Sequence, residues 1–217
     1  MSVAVLVERS PAAKEQGQAL EEAAQSIHDV FSSKAQLKIV AASSTPTVES
    51  DFGDTRLRMV RAAKEGTYSA DWVFDQSVRL AASELFATRG KKAIVFLSQG
   101  RLSDNPYGTY SIMELAQFLR NNGITFNAVY LSSAQPDPDI RYLCQLTGGQ
   151  DLPFYNPQGI TALEAGLAKH VTPVYVLRYL SPSYADFGRR YIGIEAEVSL
   201  KSKSGYDKSG FYAPLEF

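Results

Sequence analysis

The sequence predicts an α/β fold, in which a doubly wound, mostly parallel sheet is flanked by helices and followed by a C-terminal antiparallel β addition. Continuous apolar runs rich in β-branched residues, at 3–7 and 93–97, are typical of strands buried on both faces. Segments with helical apolar spacing separate the strands up to about residue 171. Beyond it, apolar and polar residues alternate over 192–200, which predicts an antiparallel strand with one face in water.

The first half of the chain supplies three predicted strands and two helices. After the strand at 3–7 comes a helix whose apolar residues are spaced three and four apart. These residues are Leu20, Ala23, Ala24, Ile27, Val30 and Phe31. Residues 36–42 predict a second strand and 47–50 a short edge strand. Asp54 is expected to cap the next helix, which should end near Gly66 because glycine readily adopts the left-handed conformation of a helix end.

The second half continues the alternation. A helix with Phe74, Val78, Ala81 and Leu85 on one face is expected to end at Arg89–Gly90. Ser111 is the expected N-cap of a helix that stops at 121–123. The remaining predicted strands are 93–97, 124–131 and 152–155, and the remaining predicted helices are 137–146 and 160–171.

The tail differs in pattern from the rest of the chain. Residues 174–179 predict a strand, 183–189 carry turn residues, and 192–200 have a period of two. We therefore expect an α/β domain at 1–172 and a β-strand extension at 173–217 that packs on the same domain and adds to its sheet.

Composition excludes several classes of protein. The chain has 217 residues, of which 45% are hydrophobic, and a formal net charge of −1. A charge near zero supplies no long-range positive field, so nucleic-acid binding through bulk electrostatics is not expected. One cysteine, Cys144, excludes an intramolecular disulfide and a cysteine-based zinc site. No apolar run approaches the ~20 residues that span a bilayer. The chain opens almost directly inside a predicted strand, which favours a domain excised from a longer precursor over a cytoplasmic protein.

Catalytic motifs are missing as well. The sequence contains no GxGxxG, GxxxxGK[ST] or GxSxG motif, so dinucleotide-dependent enzymes, P-loop enzymes and hydrolases with a nucleophile elbow are not expected. His28 and His170 lie on separate predicted helices without metal-ligand spacing. Cys144 lies among leucines and is expected to be a core residue. We therefore expect no catalytic residues.

The order of several segments resembles a von Willebrand factor A (VWA) domain. The segments are VAVLVERS at 3–10, AIVFLSQG at 93–100, ELA at 114–116, ITFNAVY at 124–130 and LCQLTGG at 143–149. The tail, with YVLRY at 175–179, RYI at 190–192 and GFYAP at 210–214, is similar to bacterial VWA-related proteins. The resemblance implies a Rossmann-like fold, a protein partner, and an extracytoplasmic location, either periplasmic or secreted.

Members of this family often carry a metal-ion-dependent adhesion site (MIDAS), with DxSxS after the first strand, a threonine in a later loop and a DG pair after the fourth strand. In this sequence Glu8 stands for the first aspartate, Ser10 is kept, Ala12 replaces the second serine, and Gln99 replaces the DG aspartate. The threonine falls somewhere at 67–71. Because Mg²⁺ requires hard oxygen ligands in near-octahedral geometry, these losses predict a degenerate site without a cofactor.

Loops expected at the carboxyl ends of the strands carry aromatic residues, which are enriched at the centres of protein interfaces. The residues expected to bind a partner are Ser10, Tyr68, Trp72, Gln99, Tyr107 and Tyr110. Tyr107 lies in a turn-like NPYG sequence and is expected to be exposed. Trp72 has two interpretations, an interface residue or a core residue beneath its loop.

Three functions follow from these observations. The favoured one is a non-catalytic, adhesion-type module that binds a protein. The second is an adhesion module that depends on Mg²⁺ or another divalent cation, bound by Glu8 and Ser10 with help from Asp71 or Asp104. The third is an enzyme that binds a small ligand where the strand order reverses. A side chain such as Arg9 or Arg101 could also fill the place of the lost cation.

Overall fold

The computed structural model describes residues 1–133, 135–156, 158–170, 191–201 and 203–212. The chain forms two compact units, with the division after residue 174. In the first unit the strands are β1 (Ser2–Glu8), β2 (Gln36–Ala42), β3 (Thr47–Ser50), β4 (Lys92–Ser98), β5 (Ile124–Tyr130) and β6 (Asp151–Pro153). The helices are α1 (Pro11–Glu15), α2 (Gly17–Phe31), α3 (Arg56–Lys64), α4 (Phe74–Glu84), α5 (Ile112–Asn121), α6 (Pro138–Thr147) and α7 (Gly159–Lys169).

The six strands form one sheet in the order β3-β2-β1-β4-β5-β6. Every neighbouring pair is parallel except β2 with the short edge strand β3, which is antiparallel. All seven residues of β1 are buried, because both neighbours and both faces of this central strand are covered. The predicted doubly wound, mostly parallel sheet is confirmed.

Helices cover both faces of the sheet. Val3, Val5 and Val7 of β1 point into a core formed with α2, α3 and α7. Ala4 and Leu6 point to the opposite side, into a core formed with α4, α5 and α6. Alternation of side chains along a strand therefore divides β1 between two apolar layers, which explains why its sequence is a continuous apolar run.

Local chemistry sets several helix boundaries. Ser111 caps α5 in a full capping box with Glu114, as predicted, and Gly148 ends α6 in the left-handed conformation. The prediction that Asp54 caps α3 is wrong, because Thr55 is the N-cap and Asp54 instead accepts a hydrogen bond from the backbone N–H of Asp51 (2.8 Å). The prediction that α4 extends to Arg89 is also wrong, since it ends at Glu84 and turns follow.

The described part of the second unit is a β-hairpin. The strands β7 (Tyr191–Leu200) and β8 (Lys203–Tyr212) pair antiparallel, which confirms the strand type predicted from the period of two. The expectation that the tail adds to the main sheet is wrong for these two strands, because they pair with each other in a separate two-stranded sheet. The strand predicted at 174–179 and the turn at 183–189 lie outside the described residues. A search of the described helices finds none long and apolar enough to cross a membrane.

Candidate functional site

The candidate site lies where the strand order reverses. β1 is followed along the chain by β2 on one side, whereas β4 is followed by β5 on the other side. The carboxyl ends of β1 and β4, at Glu8 and Ser98, are therefore adjacent and mark the topological switch point of the sheet, which is where ligands bind in open α/β folds.

Glu8 is fully buried at this switch point and is surrounded by hydrogen-bond donors. Its Oε1 accepts a hydrogen bond from the Ser10 hydroxyl. Its Oε2 accepts one from the Ser98 hydroxyl (2.6 Å) and one from the backbone N–H of Gln99 (2.9 Å). Both hydroxyls also accept a backbone N–H, from Ala13 in α1 (3.0 Å) and from Gly100 (2.8 Å). The carboxylate is thus enclosed by the ends of β1 and β4 themselves.

Burial raises the pKa of Glu8 above its ordinary value, because removal from water penalises the charged form. The hydrogen bonds from Ser10, Ser98 and Gln99 act in the opposite direction and lower the pKa. Burial has the larger effect, so the folded protein holds a proton on Glu8 more tightly than the unfolded chain does.

Arg9 is also fully buried, and it belongs to a separate network. Its Nη1 donates to the carbonyl oxygen of Ala63 (2.8 Å) and to the Tyr68 hydroxyl (2.9 Å). Its Nη2 donates to the carbonyl of Ala62 and to the Glu49 carboxylate in β3. The last carbonyls of a helix have no partner within it, so Arg9 caps the end of α3. These hydrogen bonds go to α3, β3 and Tyr68, so Arg9 does not fill a cation's place beside Glu8 and Ser10.

The loop that carries Tyr68 and Trp72 is held by Arg9 and by the second core. The backbone N–H of Ser69 donates to the carbonyl of Arg9 (2.8 Å), and the Tyr68 hydroxyl donates to the carbonyl of Lys64 (2.8 Å). Trp72 is only 2% exposed and contacts Phe74, with ring centroids 6.3 Å apart. Of its two interpretations, the core residue is confirmed.

Tyr107 and Tyr110 are partly buried rather than projecting into solvent. Tyr107 packs edge-on against Phe74 and donates its hydroxyl proton to Asp139 Oδ2 (2.6 Å). The ring of Tyr110 lies under the guanidinium of Arg79, whose carbon is 4.5 Å from the ring centre. The prediction that Tyr107 is exposed is wrong, because the turn folds its ring back onto the core of the sheet.

Asp75, a residue that sequence reasoning missed, positions this turn. It is fully buried near the start of α4, and its Oδ2 accepts the backbone N–H groups of Thr109 (2.7 Å) and Tyr110 (2.8 Å). The backbone N–H of Asp75 in turn donates to the carbonyl of Pro106 (3.1 Å). Its place in the first turn of an apolar helix was the available signal, since acidic residues are favoured there.

Comparison with solved structures identifies the fold. A VWA protein from Catenulispora acidiphila matches with a TM-score of 0.59 and 15% identity, over 77% of this chain and 41% of that one. An aerotolerance-related membrane protein from Bacteroides fragilis matches with a TM-score of 0.55 and 12% identity, over 78% of this chain and all of that one. Proximal thread matrix protein 1 from the mussel byssus, with a zinc-occupied MIDAS motif, matches with a TM-score of 0.58 and 13% identity, over 76% and 44% of the two chains.

The chain has the VWA fold. The likeness lies in structure, because no family model matches the sequence and a search of curated proteins finds no match.

A neighbour in fold holds zinc in its MIDAS motif, and the switch point of this chain offers a reduced set of side-chain oxygens. Both oxygens of Glu8 accept internal hydrogen bonds, and the hydroxyls of Ser10 and Ser98 point their protons at that carboxylate. Ala12 offers no side-chain oxygen. A cation at Glu8 would therefore compete with these donors and would depend on water for much of its coordination.

The acidic residues expected to assist Glu8 and Ser10 are exposed. Asp71 and Asp104 both have solvent-facing side chains, so neither joins Glu8 inside the site. Across the described ranges, no group of three or more histidine, cysteine or acidic residues is arranged to hold a metal ion. Gln99 is partly exposed, and its backbone N–H supplies the 2.9 Å hydrogen bond to Glu8. Its side chain also lowers the pKa of Glu8 by hydrogen bonding.

Three cavities lined by described residues open away from the switch point of this VWA fold. One of about 440 Å³ includes Ser2 and Arg89, near the amino ends of the strands. One of about 300 Å³ lies between α2, β2 and α3, and a small one of about 10 Å³ borders Lys92 and Thr125. None of these three borders Glu8 or Ser98.

Proposed function

We propose that this VWA-fold domain is a non-catalytic, adhesion-type module that binds a protein partner and has a degenerate metal site. One observation carries the proposal: the carboxylate of Glu8, at the position where the fold binds its ligands, is completely enclosed by hydrogen bonds from Ser10, Ser98 and Gln99. Both oxygens of this carboxylate are engaged by donors of the same chain, so a cation or a substrate would have to compete with them.

The positions of the other reactive side chains support a non-catalytic function. His28, on α2, borders the cavity beside Gln36, and His170, at the end of α7, borders the cavity beside Lys92, so both lie near the amino ends of strands rather than at the switch point. Cys144 is buried in the second core, and burial raises the pKa of its thiol well above the ordinary range. A thiol with a raised pKa is a poor nucleophile because the thiolate is the reactive form.

The proposed binding face is the carboxyl edge of the sheet. Its residues are Ser10, Tyr68, Trp72, Gln99, Tyr107 and Tyr110. The partly exposed members of this set offer direct contacts, whereas Ser10 and Trp72 are buried and support the loops from beneath. Loops held by a rigid scaffold are the usual location of binding residues. Their fixed hydrogen bonds favour binding with little loss of conformational entropy.

The neighbours in fold support the adhesion type of function and an extracytoplasmic location, periplasmic or secreted. They include a type V pilus tip protein from Porphyromonas gingivalis and an aerotolerance-related membrane protein from Bacteroides fragilis. We propose an extracytoplasmic location for this chain as well.

Thermal unfolding with and without divalent cations tests the degenerate site. A cation present at 100 times its Kd would stabilise the folded state by about 2.7 kcal/mol. For a chain of this size that is a rise in Tm of several degrees. We expect no such shift with Mg²⁺, Mn²⁺ or Ca²⁺ at millimolar concentration relative to chelator. A shift that disappears in the Ser10→Ala variant would instead support the cation-dependent function.

Site-specific photo-cross-linking tests the binding face. A photoreactive amino acid replaces Arg101, which is exposed beyond β4, or Arg89, which is exposed near the amino ends of the strands. In the cells that make the protein, we expect a discrete protein adduct from position 101 and none from position 89. Equal labelling at both positions, or none at either, would contradict the proposed face.

A further inference from the structure

Two exposed apolar side chains on neighbouring helices contact each other. Met113, in the first turn of α5, is 57% exposed, and Tyr142, in α6, is 36% exposed. The Tyr142 hydroxyl lies 2.9 Å from the Met113 sulfur. Single exposed apolar residues are ordinary on protein surfaces. A pair that forms one continuous patch across two helices calls for a separate explanation.

This patch continues to the turn at the carboxyl edge of the sheet. Tyr142 and Asp139 are three residues apart in α6 and therefore lie on the same side of the helix. Asp139 in turn accepts the hydroxyl proton of Tyr107 (2.6 Å). Tyr107, Asp139, Tyr142 and Met113 thus form a continuous strip, which we call the α5–α6 ridge.

The ridge has a negative electrostatic character. Burial and the nearby carboxylates of Asp139, Asp137 and Asp75 all raise the pKa of the Tyr107 hydroxyl. Glu114 adds an exposed carboxylate beside Met113. The cation on α6, Arg141, is two residues from Asp139 and therefore points to a different side of the helix from it, toward Asp137 and toward Asp151, with which it pairs (3.4 Å).

We propose that the α5–α6 ridge docks a basic segment of the partner protein, which places an apolar side chain against Met113 and Tyr142 and a lysine or arginine beside Asp139. This proposal rests on the proposed protein-binding function and adds the chemistry of the partner. Methionine adapts its shape to different apolar groups, and a tyrosine ring attracts a cation placed over its face.

Charge complementarity selects this occupant over the alternatives. Carboxylates at 114 and 139 attract a cationic chain and fix its register. The same charges repel an acidic peptide and the anionic surface of a membrane. An uncharged apolar partner would leave the acidic groups without compensation.

The probes are three fluorescently labelled peptides. All three have leucine at the same positions, and the remaining positions are lysine in one, glutamate in the second and serine in the third. Binding to the full chain is followed by fluorescence anisotropy. We expect the lysine peptide to bind at least about tenfold more tightly than the glutamate peptide, with an affinity that falls as salt increases.

Two ridge variants and one control locate the binding. The Met113→Ser/Tyr142→Ser double variant removes the apolar part of the ridge. Asp139→Asn removes the charge but keeps an oxygen that can accept from Tyr107. Each is expected to weaken binding of the lysine peptide by about five- to tenfold. Leu57→Ser removes a side chain that is 79% exposed on α3 and should leave binding unchanged.

Several outcomes would overturn the proposal. One is equal affinity of the protein for the lysine and glutamate peptides. Another is an equal loss of peptide affinity in the ridge variants and in the control variant. A third is that the protein binds vesicles of phosphatidylcholine and phosphatidylserine but not the lysine peptide. Cross-linking from position 101 separates this proposal from the general function. If the ridge variants keep the cellular adduct at full yield, the ridge proposal fails and the protein-binding function stands.

Discussion

The substitution Arg9→Met tests the network that holds the candidate binding loop. It removes a fully buried guanidinium cation, which donates hydrogen bonds to two carbonyls at the end of α3, to the Tyr68 hydroxyl and to Glu49. A buried acceptor without a partner costs about 1–3 kcal/mol, and loss of one member of a buried ion pair costs about 3–5 kcal/mol. The Glu49 side chain keeps 20% exposure, so water relieves part of the loss. We expect a decrease in the free energy of unfolding of about 3–5 kcal/mol.

Urea unfolding measures this decrease through the single tryptophan. Trp72 is buried in the intact protein, and it is the only tryptophan of the chain. The fluorescence emission of Trp72 therefore changes when the loop that carries it unfolds and its ring enters water. The midpoint should fall in Arg9→Met while the slope of free energy against urea stays unchanged, since the same surface is exposed on unfolding.

An exposed arginine gives the matched control. Arg61 lies on the same helix that Arg9 caps, and it pairs with Glu65 across one helical turn with a side chain that is 71% exposed. Exposed ion pairs contribute little to stability, so Arg61→Met should leave the midpoint nearly unchanged. A loss below about 1 kcal/mol in Arg9→Met, or equal losses in both variants, would refute the reasoning from burial.

Two further substitutions test the site and the sheet. In Glu8→Gln, the pH dependence of stability should change because the folded-state pKa of Glu8 is raised. The wild type should lose stability relative to this variant as pH rises from about 4.5 through the folded-state pKa. Urea midpoints of the two proteins that run parallel across that pH range would contradict this expectation. In Gly149→Ala, a β-carbon would lie 1.9 Å from the carbonyl oxygen of Phe126, so we expect a loss above about 3 kcal/mol. The control Gly53→Ala, with φ +86° and no atom within 4 Å, should cost only about 1–2 kcal/mol of backbone strain; similar urea midpoints for the two variants would show that the close approach is unimportant.

Much of the fold was predictable because its signals are local. The central strands β1 and β4 are continuous apolar runs, and such runs form only where both faces of a strand are covered. Ser111 was identified as a cap from its position before an apolar helix. The prediction that Asp54 caps α3 is wrong because Asp54 stands next to Thr55 and both residue types cap helices, so the sequence alone does not distinguish them.

The site was less predictable because its residues are placed by contacts between distant segments. Nothing near Arg9 in sequence indicates that its side chain crosses to α3 and β3, since its acceptors at 49 and 62–68 come much later in the chain. Tyr107 has a turn sequence that favours exposure, yet its ring packs on Phe74 because the loop folds back toward α4. Exposure of an aromatic residue in a loop depends on such packing, which a turn motif does not encode.

The central position of β1 has a consequence for synthesis of the chain. Within this sheet β1 is made before the other strands, and Val3 and Val5 must wait for their partners Ala93 and Val95 to be made. Until then the edge of β1 that pairs with β4 has no native partner, and pairing between such distant segments is slow. A nascent chain is therefore expected to expose an unpaired edge of its central strand until the fourth strand has emerged, which is the kind of surface through which partly folded chains aggregate.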